Sequence, residues 1–331
     1  MRSLKIIHTS DWHCGASRDL PEYLSRWKDA FDEIRSKIKK YEPDVFVITG
    51  DLFDNRTPKE EERNLILNTI SSILIDFPKM YVLILEGNHD WNTQETSMLE
   101  SVREGYLPVG SRIVVVRDKP QVVKIKGSNF ICVPCTQSQT KGSVKKLIKK
   151  LHKGLEGDTY VCMHECFKSF AENGMEVGTE SLPKLKFVKC WMLGDIHKHQ
   201  FLAKNAWYAG SPLQINFGEN SAKGIVYVDE GKPKFIRLKQ AKKLVTIKQG
   251  DSIPDNCIVR YKITNPLDFN KSEVPDSVVS FEHDISETST IELENNGDVT
   301  DGLTKMLAEK FGMSKKYQKK AVKYINNLVA R

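Results

Sequence analysis

The sequence has no run of apolar residues near the ~20 that a membrane-spanning helix needs. Its first residues, MRSLKIIHTSDWH, include only a short apolar stretch, which is too short for a secretory signal peptide. Internal repeats and low-complexity tracts are also missing. These absences favour an intracellular, cytoplasmic protein that does not enter a membrane.

A disulfide framework is missing as well. The chain has 7 cysteines, an odd number, scattered through apolar segments as reduced core thiols would be. Cys132 and Cys135 form a CxxC pair, but no second pair stands at zinc-finger spacing. The apolar run before Pro134 indicates the end of a strand instead. The cysteines therefore predict neither a secreted scaffold nor a zinc finger.

Charge is plentiful but unevenly spread. The 331 residues are 40% hydrophobic and 28% charged, which is ordinary for a globular chain with one large and one small domain. Residues 300–331 contain eight Lys/Arg and two Asp/Glu, so they carry six of the seven net positive charges. A basic tail suits a polyanion or an acidic partner, and it is equally typical of a solvated helix face.

Apolar runs and amphipathic stretches alternate through the first 238 residues. Helical spacing predicts helices at 22–41, 59–76 and 143–153. Strands are predicted at 4–10, 44–50, 80–86, 112–116, 129–134, 159–164, 188–194 and 224–229. Strand–helix–strand order predicts parallel pairing, and the later strands, which lack helices between them, are expected to be more antiparallel. The fold class is therefore α/β, with a two-layer β-sheet core flanked by helices.

The alternation of apolar runs and amphipathic stretches ends after Leu238. KKLVTIKQ, CIVRYKIT and SVVSFEHD predict the strands of a small α/β unit, and the acidic segment 284–300 predicts a linker or an edge strand with a loop. The last segment predicts a basic helical hairpin with an apolar stripe. That stripe consists of Leu303, Leu307, Phe311, Val322, Ile325 and Leu328. The predicted domains are 1–238, 239–298 and 299–331.

Metal-binding residue types follow five of the predicted strands, at the point where each strand ends. They are Asp11, His13, Asp51, Asn88, His89, Asp90, His164, Asp195 and His197. One such group is common by chance. Five groups at strand ends indicate a site, because ligands of open α/β sheets bind at the carboxyl ends of the strands.

Carboxylate, carboxamide and imidazole together form a hard-to-borderline ligand set. The set suits Mn²⁺, Fe²⁺, Mg²⁺ or Zn²⁺ and lacks the thiolates of structural zinc sites. It contains more ligands than one ion uses, whereas two ions ~3.5–4 Å apart that share a carboxylate would use them all. Such a pair binds a phosphate ester and lowers the pKa of a water molecule. The sequence thus predicts a two-metal phosphoesterase site.

The order of these motifs resembles that of the calcineurin-like metallophosphoesterases. Within that superfamily, SDWHCG, GDLFDNRTP, GNHD, LGDIHKHQ and GSPLQINFGE are similar to the motifs of SbcD-type nucleases of DNA double-strand-break repair. The resemblance is close over residues 4–238 and beyond them rests on order and size. The Asp-Arg-Gly motif of protein serine/threonine phosphatases is absent from the second motif.

The resemblance implies roles for these residues. Metal ligands would be Asp11, His13, Asp51, Asn88, His164, Asp195 and His197, with Asp51 bridging two Mn²⁺ or Mg²⁺ ions. His89 would not be a ligand but would protonate the leaving sugar oxygen or stabilise the transition-state charge, and Asp90 would orient His89. Relatives usually have histidine at position 195. Asp195 either ligates through oxygen, which favours hard ions, or weakens the second site. The Asn and Gln of GSPLQINFGE would contact DNA or hold their loop.

The resemblance further implies a Mn²⁺-dependent DNA nuclease, with 3′→5′ exonuclease activity on duplex ends and endonuclease activity on single strands or hairpins. The small domain would cap the site. An SMC-like ABC ATPase of the SbcC type would be the partner, bound by the apolar stripe unless that stripe packs on its own domain. We also expect a homodimer located in the cytoplasm or at the nucleoid. Two alternatives stay open, a small-molecule phosphodiesterase or phosphatase and a DNA-end-binding scaffold with little catalysis.

Overall fold

The computed structural model of the chain describes residues 3–20, 22–91, 99, 112–135, 143–263 and 278–283. The chain divides into two compact units, Met1–His283 and Asp284–Arg331. The second unit lies outside the described residues, and with it the predicted linker, the basic tail and the apolar stripe. The two predicted domain boundaries, after residues 238 and 298, stay a prediction.

The helices lie where the apolar spacing predicts them. They are α1 Tyr23–Tyr41, α2 Glu60–Asp76 and α3 Val144–His152. Helix α1 ends at Tyr41, and the residue that caps it, Glu42, has a left-handed backbone. The N–H of Glu42 donates to the carbonyl of Ile38. In α2 the Glu62 carboxylate accepts the backbone N–H of Lys59 at 2.7 Å, one half of a capping box.

Every strand predicted from the sequence is present, and further strands lie between them. In chain order they are β1 Ile6–Thr9, β2 Val45–Thr49, β3 Tyr81–Leu85, β4 Ile113–Val116, β5 Gln121–Ile125, β6 Ser128–Val133, β7 Thr159–His164, β8 Ser169–Phe170, β9 Glu176–Val177, β10 Val188–Gly194, β11 Gln200–Ala203, β12 Ala206–Tyr208, β13 Gly224–Asp229, β14 Lys232–Arg237, β15 Lys243–Lys248, β16 Cys257–Ile263 and β17 Val278–His283.

Two six-stranded sheets form the core of the described chain. The first has the order β14-β13-β1-β2-β3-β4 and the second β11-β12-β10-β7-β6-β5. Their facing sides share one apolar cluster, which includes Val47 and Leu85 from the first sheet and Phe130 and Met192 from the second. Helices α1 and α2 cover the outer face of the first sheet, and α3 that of the second. The predicted α/β class with a two-layer core is confirmed.

The expectation that the later strands are more antiparallel holds at the edges of the second sheet but not at its centre. Strands β6, β7, β10 and β12 pair in parallel, and only β5 and β11 at the edges pair antiparallel. Parallel pairing needs long crossovers. Helix α3 lies in the crossover between β6 and β7, and segment 165–187, which contains the short strands β8 and β9, connects β7 to β10. The antiparallel expectation holds for β13, which pairs with β1 and β14.

A separate parallel sheet, β15-β16-β17, contains the three strands predicted after Leu238. All seven cysteines are free thiols, and Cys14, Cys132, Cys162 and Cys190 are buried. Among the helices that the structure describes, none combines the length and the apolar character needed to cross a bilayer.

Candidate metal centre

The predicted ligands converge where the two sheets meet. Asp11 and His13 follow β1, Asp51 follows β2, His164 ends β7 and His197 follows β10. Three sets of these side chains each bring one ligand atom per residue within 4.8 Å of the others. The first set is Asp11–His13–His197, the second is Asp11–Asp51–His164, and the third is His13–Asp51–His89. Oδ2 of Asp51 lies 3.4 Å from Nε2 of both His13 and His164, a position that suits a bridging carboxylate.

Two imidazole nitrogens face each other in the first set. Nε2 of His13 lies 3.0 Å from Nε2 of His197. The Nδ1–H of His197 donates to the Glu219 carboxylate at 2.9 Å, because a carboxylate only accepts. Nε2 of a neutral His197 therefore carries a lone pair directed at His13. Nδ1 of His13 is buried without a hydrogen-bond partner among the described residues, with Asp54 Oδ1 3.6 Å away.

His164 presents the same arrangement in the second set. Its Nδ1–H donates to the Thr49 carbonyl at 2.8 Å. Its Nε2 lies 2.9 Å from Asn88 Oδ1, 3.4 Å from Asp51 Oδ2 and 3.7 Å from Asp195 Oδ1. A lone pair that faces three oxygen acceptors is favourable only with a proton or a cation between them.

Both histidines match the geometry of metal ligands. A metal-binding imidazole typically donates its other N–H to a carboxylate or a backbone carbonyl, which fixes the tautomer. His197 does so to Glu219 and His164 does so to Thr49. The donors are oxygen and imidazole nitrogen, the ligands that Mn²⁺ and Mg²⁺ accept. The residues present therefore fit a pair of divalent cations.

The backbone at the site is strained. Asp11, His13, Asp51 and Asp195 all have a left-handed φ, at 50°, 45°, 53° and 94°. This conformation costs a non-glycine residue roughly 1–2 kcal/mol. Such outliers cluster at functional sites, where the surrounding fold holds them. Four of them on predicted ligands indicate that ligand placement, and not local backbone preference, sets these turns.

Two glycines allow the ligand loops to approach one another. A Cβ atom on Gly87 would lie 2.1 Å from Oδ1 of Asp51. A Cβ atom on Gly194 would lie 2.0 Å from the Thr49 carbonyl oxygen and 2.8 Å from Nδ1 of His164. No side chain fits at these distances. The glycine in front of Asn88 and the one in front of Asp195 are therefore steric requirements of the centre.

Asp90 has a different role from the predicted one. Its buried carboxylate accepts four backbone N–H groups, those of Asp51, Leu52, Phe53 and Gly87, at 2.9–3.2 Å. The Nδ1–H of His89 instead donates to the carbonyl of Asp54 at 2.6 Å. The expectation that Asp90 orients the His89 ring is therefore corrected. Asp90 fastens the loop after β2 to the loop after β3, and Asp54 orients the ring.

Negative charge is in excess at the centre. Burial by itself raises the pKa of Asp51, but the charges of His164 and His13 hold that pKa well below its usual range. Burial and the Asp51 carboxylate raise the pKa of Asp90 to about 7. Burial also raises the pKa of Asp195, and Asp11 and Asp51 add to the effect. Cations at the centre would relieve this repulsion.

Asp195 lies at the edge of the second set. Its backbone N–H donates to Asp11 Oδ1 at 2.9 Å, and its carboxylate is on the side of His164. The side chain is 31% exposed, so it borders solvent. The position is compatible with a ligand, and ligation by Asp195 stays a prediction.

Glu219 is a functional residue that the motif analysis did not single out. It is 2% exposed, and besides His197 it contacts Lys223 Nζ at 2.8 Å and accepts the N–H of Ile215 at 3.0 Å. It is the last residue of GSPLQINFGE, which was its only sequence signal. Gln214 of that motif donates to the carbonyls of Glu219 and Leu244, so it holds the loop.

Comparison with known proteins agrees with this geometry. The family model for calcineurin-like phosphoesterases matches residues 4–199. The D component of the nuclease SbcCD of Staphylococcus epidermidis is 25% identical over 255 residues, which are 68% of this chain and 66% of that protein. The chain thus spans just under two thirds of the length of that relative.

Matches among solved structures include TT1561 of Thermus thermophilus. It is 12% identical, with a TM-score of 0.45 over 71% of this chain and 98% of that one. Pseudomonas putida nuclease MPE is 13% identical, with a TM-score of 0.32 over 70% of this chain and 87% of that one.

Proposed function

We propose that this chain, which belongs to the calcineurin-like phosphoesterase family, is a two-metal, Mn²⁺-dependent DNA nuclease. The observation that carries the proposal is the convergence of the ligand sets around Asp51, whose Oδ2 lies 3.4 Å from Nε2 of both His13 and His164. The similarity to a component of an SbcCD nuclease supports DNA as the substrate. We further propose 3′→5′ exonuclease activity on duplex ends and endonuclease activity on single strands or hairpins.

The ligands divide between two cations. The first would be held by Asp11, His13, Asp51 and His197, and the second by Asp51, Asn88, His164 and Asp195. When bound, a pair of Mn²⁺ or Mg²⁺ ions neutralises phosphate charge and lowers the pKa of a water nucleophile. The protein contributes the fixed tautomers of the two outer histidines, so both rings present a lone pair without reorganisation.

His89 is the residue that we assign to proton delivery. Its backbone N–H donates to Oδ1 of Asp51 at 2.9 Å, which fixes the residue beside the bridging carboxylate. Its Nδ1–H is engaged by the carbonyl of Asp54. When the ring carries a second proton, on Nε2, that atom can give it to the leaving 3′ oxygen and return to the neutral form. Asp90 supports this arrangement indirectly, by holding the backbone of the Asp51 loop.

A basic cavity supports a polyanionic substrate. A cavity of about 520 Å³ lies between the 212–223 loop and β15. Arg237, Lys239, Lys242 and Lys243 line it, and no acidic residue of the described chain does. Three of the four, all but Lys242, are exposed and can neutralise phosphates of a nucleic-acid backbone. A small-molecule phosphodiesterase has no need of such a surface.

We propose an SMC-like ABC ATPase of the SbcC type as partner, a homodimer as the assembly, and the cytoplasm or nucleoid as the location. The similarity to a component of an SbcCD nuclease supports the partner. The predicted contact surface is the apolar stripe of residues 303–328, which lies outside the described part of the chain.

A cleavage assay on end-labelled duplex DNA tests the proposal. We expect cleavage with Mn²⁺, weaker cleavage with Mg²⁺ and none with EDTA. His89→Ala should lower kcat by roughly 10²–10⁴-fold, the usual contribution of a general acid, while Mn²⁺ affinity is retained. Hydrolysis of a chromogenic diester without DNA cleavage would support a small-molecule phosphodiesterase. An inactive wild type that binds DNA ends as tightly as His89→Ala would support a scaffold.

A further inference from the structure

A second, smaller cavity lies beside the metal centre. It encloses about 380 Å³ and is lined by Ser17, Asp54, Asn216, Phe217 and Arg260, among others. The walls come from the loop after β1, the loop after β2, the 210–219 loop and β16. The hydroxyl of Ser17 donates to the carbonyl of Ile215 at 2.5 Å, which ties two of these walls together.

The cavity opens next to the residues assigned to catalysis. Asp54, which lines it, places its carbonyl 2.6 Å from Nδ1 of His89. Its carboxylate Oδ1 is 3.6 Å from Nδ1 of His13. A ligand in this cavity is therefore adjacent to the first metal set and to the proposed proton donor. In a nuclease, the group at that position is a nucleotide that flanks the scissile phosphate.

One wall of the cavity is a planar pair. The guanidinium carbon of Arg260 lies 4.5 Å from the centroid of the Phe217 ring. Both side chains are half-buried, so each keeps some exposed surface. Aromatic rings and guanidinium planes are the groups on which proteins stack unpaired bases. A flat ligand suits this wall, whereas a tetrahedral phosphate gains nothing from the ring.

The polar part of the lining favours the same ligand. Asp19 and Asp54 line the cavity, so among the described lining residues two carboxylates outnumber one cation, Arg260. Carboxylates repel phosphate but accept hydrogen bonds from the exocyclic amino groups of cytosine and adenine. Thymine has no such group. The phosphates are instead served by the neighbouring basic cavity, which shares Phe217 with this one.

We propose that this cavity binds an unpaired nucleobase next to the scissile bond, on the wall formed by Arg260 and Phe217. The inference rests on the proposed nuclease function and specifies its substrate. A base can occupy the cavity only after it leaves the duplex stack, so cleavage requires a frayed end or a single strand. Strands of amino-bearing bases are preferred over polythymidine.

The test compares substrates with and without the base. Wild type, Phe217→Leu and Arg260→Lys are assayed with Mn²⁺ on single-stranded oligodeoxyadenosine, oligothymidine, and oligodeoxyadenosine with an abasic residue on either side of the scissile bond. Phe217→Leu keeps the apolar packing and Arg260→Lys keeps the charge. Lys248→Ala, an exposed lysine on the neighbouring strand that does not line the cavity, is the matched control.

We expect both cavity variants to raise KM on oligodeoxyadenosine by roughly 5-fold or more, the lower end of the effect of one base-stacking contact. Their Mn²⁺ stoichiometry and melting temperature should stay near those of wild type. On the abasic strand, the KM of wild type should rise by the same factor, and the KM of the variants should not rise beyond its value on oligodeoxyadenosine. Lys248→Ala should show the same difference in KM between the normal and the abasic strand as wild type.

The outcomes separate the two proposals. If wild type cleaves DNA and the variants match it on every strand, the base site is wrong and the nuclease function stands. The same holds if the variants lose equal activity on the normal and the abasic strands. If wild type hydrolyses a chromogenic diester but no DNA, the nuclease function is wrong and the base site with it.

Discussion

Replacement of Glu219 by glutamine is the sharpest test of how the first metal set is built. The carboxylate accepts Nδ1–H of His197 at 2.9 Å and the N–H of Ile215 at 3.0 Å, and it pairs with Lys223 at 2.8 Å. Glutamine has the same shape but only one oxygen. If the remaining oxygen faces His197, the amide N–H groups face the N–H of Ile215 and the ammonium of Lys223, which are also donors. With the amide toward His197, the ring must hold its proton on Nε2 and cannot bind a metal.

Either orientation weakens metal binding. Loss of an outer partner of a metal-binding histidine typically costs 10–100-fold in metal affinity, or about 1.4–2.8 kcal/mol. We expect that loss for Mn²⁺ at the first site of Glu219→Gln, measured by calorimetric titration of chelator-treated protein. Only one of the two binding events should weaken, because His164 at the second site is held by Thr49.

Glu172→Gln is the matched control. Glu172 is the other carboxylate on Lys223, at 2.6 Å, and its second side-chain partner is the hydroxyl of Ser221, also at 2.6 Å. Both variants remove one charge partner of the same buried lysine, so both should lower the melting temperature. Only Glu219→Gln should lower Mn²⁺ affinity. The reasoning fails if Glu219→Gln binds both ions as wild type does, or if Glu172→Gln weakens binding equally.

Three other changes probe the centre. Gly87→Ala places a Cβ atom 2.1 Å from Asp51 Oδ1, so it should abolish Mn²⁺ binding, whereas Gly154→Ala, which meets nothing within 4 Å, should leave the titration unchanged. Asp195→Ala should reduce bound Mn²⁺ from two ions to one per chain by elemental analysis, and Asp195→His should restore two; two ions retained in the alanine variant would exclude ligation. Burial lowers the pKa of His164, but the charge of Asp51 and its hydrogen bond outweigh burial and raise that pKa well above 6.5. The folded, metal-free chain therefore holds this proton more tightly than the unfolded chain, and it should lose stability as pH rises above about 6.5. Its melting temperature should fall between about pH 6.5 and pH 8 and level off in saturating Mn²⁺; a rise over that range would contradict the assignment.

Sequence patterning was sufficient for the strands that carry the ligands, because these strands are short and apolar. It missed β5 and β14, in which exposed polar or charged residues interrupt the apolar ones. Each is one arm of a hairpin closed by two left-handed residues, Lys126-Gly127 and Glu230-Gly231. Lysine and glutamate in left-handed positions are weak turn signals, so no local pattern marked these edges.

The residue types of the centre were readable from the motifs, but the connections between them were not. Glu219 lies 22 residues after His197, and only the fold of the intervening loop brings them together. Asp90 was misjudged for the opposite reason. It is adjacent to His89 in sequence, but its carboxylate accepts N–H groups of the loop after β2, whereas the ring of His89 turns to Asp54.

The proposed cations would sit across the seam of the sandwich. Asp11, His13 and Asp51 follow strands of the first sheet, whereas His164 and His197 belong to strand ends of the second. Each ion would therefore cross-link two layers that otherwise cohere mainly through apolar contacts. The free energy needed to separate the two sheets would then depend on the concentration of free metal ion in the surrounding solution.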